Sequence, residues 1–102
     1  MTRYTIEIKL NRRDDGMNYL NGHRPGDPLE TVGDYTFDAA DHIAAAEAAF
    51  EFGNLHHTTD EFGNTWPTGE RSMSKGDVLV ISDGKGRALT LACASVGWKH
   101  LD

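Results

Sequence analysis

Two apolar stretches, Asp77 to Ser82 and Ala88 to Ala94, flank the glycine-rich segment Asp83-Gly84-Lys85-Gly86. Strands joined by so short a turn must pair antiparallel, because a parallel pairing needs a crossover of a dozen or more residues. Gly and Asp supply the backbone angles and local hydrogen bonds that a tight turn demands. The spacing predicts a hairpin with Val78, Val80 and Leu89 or Leu91 buried. A short last strand is predicted within Val96 to Leu101. Gly97 leaves room for a neighbouring ring or backbone, and Trp98 is predicted to pack on the helix or the first strand.

The N-terminus carries a second clear pattern. Tyr4, Ile6, Ile8 and Leu10 alternate with Thr5, Glu7 and Lys9. A period of two with β-branched residues is a half-buried strand. A slip of one residue would turn every apolar side chain to water, so the register is well specified.

Asn11 to Asp34 reads as a long loop. It holds five glycines or prolines between Gly16 and Pro28, residues that favour turns. A short strand near Met17 to Leu20 is the alternative within it. After Tyr35-Thr36-Phe37, an alanine-rich helix is predicted over 39–52, since alanine is the best helix former. Asp38 is the expected N-cap, with Phe37 stapled onto the first turn and Asp41 near the positive end of the helix dipole. Ile43, Ala46 and Phe50 would form the inward stripe, and Gly53-Asn54 the stop. Leu55 to Glu70 reads as irregular structure or a loose hairpin around residues 61–64.

These elements predict one α+β domain over 1–102: a small antiparallel sheet of about four strands packed on one alanine-rich helix. A half-open β-barrel with one helix is the alternative. The chain has 102 residues, enough for one modest core. No run is long and apolar enough to span a bilayer, and the N-terminus lacks a signal-peptide core. The lone Cys93 has no partner for an internal disulfide, and a reduced thiol in the cytoplasm is expected.

The candidate chemistry is sparse. His56-His57 point to opposite faces of any extended segment, and His23, His42 and His100 have no ligand spacing, so no metal site is expected. Ser72, Ser74, Cys93 and Ser95 lack a nucleophile motif, and Gly84-Lys85-Gly86 lacks the spacing of a phosphate loop. No catalytic residue and no cofactor are predicted. The net charge is −6, with 16 acidic residues against 10 basic, which argues against nucleic acid as a partner. Between residues 14 and 41 the carboxylates Asp14, Asp15, Asp27, Glu30, Asp34, Asp38 and Asp41 face only Arg24 among the formal cations. That region suits a protein partner with a basic surface. Asp14, Asp15, Asp27, Glu30, Tyr19 and Trp66 are the candidate binding residues. A pocket under the 11–34 loop, lined by Tyr19, His23, His56, His57 and Trp66, would instead make a small ligand-binding domain or enzyme.

The stretch Arg71-Ser72-Met73-Ser74-Lys75-Gly76-Asp77-Val78-Leu79-Val80-Ile81, followed after the turn by Ala92-Cys93-Ala94-Ser95-Val96-Gly97-Trp98, resembles the YodL-like domain. The segment Glu47 to Asn54 is similar to the matching helix of such proteins. The resemblance covers the second half of the chain. It implies a small cytoplasmic protein of a bacterium, phage or mobile element, and it implies no catalytic residue. Composition and resemblance together lead to the expectation of a non-enzymatic interaction module that binds a host protein through an acidic surface.

Overall fold

A computed structural model describes residues 2–12, 26–55, 64–66, 73–85, 87–94 and 97–101. The elements run β1 (Thr2–Asn11), β2 (Leu29–Ala39), α1 (His42–Leu55), β3 (Val78–Ser82), β4 (Ala88–Cys93) and β5 (Trp98–His100). The five strands form one antiparallel sheet in the order β2-β1-β3-β4-β5. It is open, with β2 and β5 at its edges, so the barrel alternative is wrong and the antiparallel sheet on one helix is right. Among the described residues no helix is long and apolar enough to cross a membrane.

The alternation of β1 is realised as expected: Tyr4, Ile6, Ile8 and Leu10 are buried on one face. Ile6 and Ile8 pair with Ile81 and Leu79 of β3, and partners in an antiparallel ladder share a face. Leu79 and Ile81 therefore point into the core, and Val80 lies half-buried on the far side. The expected inward role of Val80 is corrected by this register. Val78 is buried as expected, although it shares the outer face with its partner Ala92.

Among the described residues the sheet has five strands rather than four, because residues 29–34 are strand and not loop. β2 pairs along all of β1, and Val32 is an extra residue where the register slips opposite Ile8 and Lys9. This bulge resets the side-chain alternation. Gly33 faces the core, and a Cβ there would lie 2.6 Å from the Tyr35 hydroxyl oxygen. The absence of a side chain at 33 is what lets the Tyr35 ring fold back along its own strand.

The helix starts three residues later than predicted. Asp41, not Asp38, is the N-cap: its Oδ1 accepts from the Ala44 N–H at 2.8 Å. Asp38 belongs to β2, where it meets the Arg3 guanidinium at 2.9 and 3.2 Å. The buried stripe is Ala45, Ala46, Ala49 and Phe52. Ile43, expected inward, points out and is 41% exposed. Gly53 is within the helix rather than after it. A Cβ on Gly53 would lie 2.6 Å from Met73 Cγ and 3.2 Å from Trp66 Cζ3, so glycine admits both side chains to the helix backbone. The Met73 N–H also donates to the Gly53 carbonyl at 3.3 Å.

Aromatic rings fill the space between helix and sheet. Phe52 meets Tyr35, Phe37 and Trp66 with ring centroids 4.8, 5.8 and 5.6 Å apart, within the range favoured for tilted and edge-to-face pairs. Trp98 packs edge-to-face on Phe50 of the helix at 6.1 Å, as expected. Gly97 has a different role from the expected one. A Cβ there would meet nothing within 4 Å, and φ is +71°. It serves the turn into β5, closed by the Ala94 N–H donating to the Gly97 carbonyl.

Candidate functional site

One face of the sheet is covered by α1, and the other is built from the alternate residues of each strand. Across that outer face Asp34, Glu7, Val80 and Thr90 form one row, and Thr36, Thr5, Ser82 and Ala88 the next. Glu7 and Asp34 stand directly opposite one another on β1 and β2. Like charges in that position repel. Glu7 accepts a hydrogen bond from the Thr31 hydroxyl at 2.6 Å, and Asp34 is exposed. Among the described residues neither carboxylate takes part in an ion pair.

The neighbouring acids are committed inside the fold. Glu30 is paired with Arg12 at 2.7 Å, and Asp38 with Arg3. The hydrogen bond from Arg3 holds the Asp38 carboxyl below the usual aspartate range. Asp27 accepts from the Asn11 side-chain amide at 2.8 Å. Of the candidate binding residues, Asp27 and Glu30 thus lie at the open end of the β1–β2 pair with internal partners. Trp66 is a core residue, 6% exposed and stacked on Tyr35 with centroids 6.3 Å apart. Asp14, Asp15 and Tyr19 lie outside the described residues, as do His23, His56 and His57 of the proposed pocket.

A buried polar cluster escaped the sequence reading. Asp77 is fully buried, and its two carboxylate oxygens accept from the Asn11 N–H at 2.8 Å and the Ser74 N–H at 2.7 Å. The Asn11 amide also donates to the Gly76 carbonyl at 3.2 Å. The Asp77 N–H returns to the Ser74 carbonyl, and Gly76 sits at φ +98° in the turn so closed. The Ser74-Lys75-Gly76-Asp77 motif is therefore a structural clasp. Its carboxylate is spent on backbone donors.

Two further groups bear on chemistry. The Cys93 thiol is buried, and desolvation, aided by the charges of Asp77 and Glu47, pushes it up to about 11. A thiol so raised is a poor nucleophile at neutral pH. His42 stacks edge-to-face on Tyr4 at 4.8 Å, and its Nε2 is buried without a hydrogen-bond partner among the described residues. Among the described residues no three His, Cys, Asp or Glu side chains converge as a cation site.

The chain matches no protein-family model, no curated protein and no solved structure.

Proposed function

We propose that this protein is a non-enzymatic interaction module of a bacterium, phage or mobile element, acting in the cytoplasm on a host protein with a basic surface. The observation that carries the reading is the opposed pair Glu7 and Asp34 on the outer sheet face. The fold tolerates a repulsion that folding alone has no use for, and a lysine or arginine of a partner would relieve it. The net charge of −6 favours approach of a basic protein and disfavours a phosphate backbone. The resemblance of residues 71–98 to the YodL-like domain supports the bacterial or phage setting.

The test is capture of host proteins by the wild-type chain and by the Glu7→Lys/Asp34→Lys variant, at low and high salt. The proposal expects a basic partner that is lost on charge reversal and weakened by salt. A partner set indifferent to both changes would overturn it.

A further inference from the structure

We propose that the outer flank of α1, where Ile43, Phe50 and Trp98 run beside the ridge Glu47–Glu51, is a docking surface for a basic amphipathic helix of another protein. It rests on other residues than the sheet patch, and either surface can fail alone.

Three observations carry it. First, the helix is apolar on more than the side it buries. Ala45, Ala46, Ala49 and Phe52 face the sheet, yet Ile43 is 41% exposed and Phe50, on the same flank, is only partly covered. The apolar character therefore extends past the buried stripe to the edge beside Glu47 and Glu51. Second, Ile43 and Phe50 are seven residues apart and so share one flank, about 10 Å from end to end. Phe50 leans on the half-buried Trp98 of β5, which widens the apolar strip toward the sheet edge. Two turns of a partner helix present anchors at the same spacing. Third, the charges choose the partner. Glu47 and Glu51 lie four residues apart on the exposed side, and among the described residues neither has an ion-pair partner. The helix carries no lysine or arginine. Such a like-charge pair disfavours the isolated helix. Symmetric docking of a second copy would bring two such ridges together, so a self-dimer on this surface is disfavoured. A partner with an apolar stripe flanked by lysines meets both features at once.

The probe is a synthetic helix of about 18 residues, five turns, with leucines at helical spacing and lysines elsewhere. A control peptide has the same composition with its leucines scattered around the helix. Each is titrated into the 15N-labelled full chain. The proposal expects saturable amide shifts centred on Ile43, Glu47, Phe50 and Glu51 and a shift of the Trp98 indole N–H. The exposed changes Ile43→Asp and Glu47→Lys/Glu51→Lys should each weaken binding by about tenfold, with the circular dichroism spectrum unchanged. Equal binding of the scattered peptide would mean attraction by charge alone; that sinks the docking surface and leaves the sheet patch standing. Shifts confined to Glu7 and Asp34 would do the same. Absence of binding by either peptide would overturn the docking surface and leave the sheet patch to its own test.

Discussion

The backbone N–H of Asn11 donates to Oδ1 of Asp77 at 2.8 Å across 66 residues of sequence. This bond ties the last residue of β1 to the residue before β3. The second oxygen holds Ser74, so one buried carboxylate joins a strand end and a turn. Replacing Asp77 by Ala strands both N–H donors in the interior. The expected loss is about 3 kcal/mol, the scale of unsatisfied buried donors to a charged acceptor. Asp77→Asn keeps one carbonyl oxygen and should lose less. Urea denaturation measures both, and equal losses would show that one neutral oxygen contributes nothing there and that the full carboxylate is needed.

The start of the helix can be tested by two aspartates three residues apart. Asp41→Ala removes the acceptor of the Ala44 N–H and should destabilise the fold by about 1 kcal/mol. Asp38→Ala breaks an exposed ion pair, and exposed pairs contribute little. A larger effect at 38 than at 41 would return the cap to Asp38.

Gly53→Ala sets helix propensity against packing. In an open helix the change would stabilise by up to about 1 kcal/mol. Here the new methyl group would lie 2.6 Å from Met73 Cγ and against the Trp66 ring. Overpacking of that kind costs about 1–3 kcal/mol, so the variant should melt lower than wild type. A higher melting temperature would mean that Met73 swings away freely.

Adjacent residues of β3 should differ sharply. Leu79 is fully buried against β1, whereas Val80 is half-buried on the outer face. Leu79→Asp places an unpaired charge in the core and should abolish folding or cost several kcal/mol. Val80→Asp should leave a cooperative melting transition.

Cys93 should be inert to thiol reagents near neutral pH, because its pKa is raised to about 11. The sign follows from its causes: burial and two nearby carboxylates all oppose the thiolate. Glu47→Gln removes one of the charges and should lower the pKa. Thiol modification rates measured against pH would show the inflection move down; an upward move would contradict the arrangement.

What the sequence made legible follows the strength of each periodic signal. The alternation of β1 and the glycine turn between β3 and β4 are local features, and both stand. The four-residue apolar run Val78 to Ile81 has no alternation; only pairing with Ile6 and Ile8 decides that Leu79 and Ile81 point inward. β2 was hidden because Gly33 weakens it and the bulge at Val32 resets its period. The slot at Gly33 is filled by Tyr35, a contact that no strand propensity reports. Asp38 and Asp41 are equally good caps by composition, and Arg3, far away in sequence, recruits the first into the sheet. Of the candidate site, the acidic character was legible, but the opposition of Glu7 and Asp34 required the register.

Asn64 adds a consequence of another kind. Its side-chain amide donates to the Thr36 carbonyl at 2.7 Å and accepts from the Thr36 N–H at 3.1 Å. Both hydrogen-bonding groups of that residue, on the outer margin of β2, are thus satisfied by a side chain. A visiting strand would have to displace Asn64 before adding to the ladder there. At Thr36 the edge strand therefore presents no open backbone pair as a template for another chain.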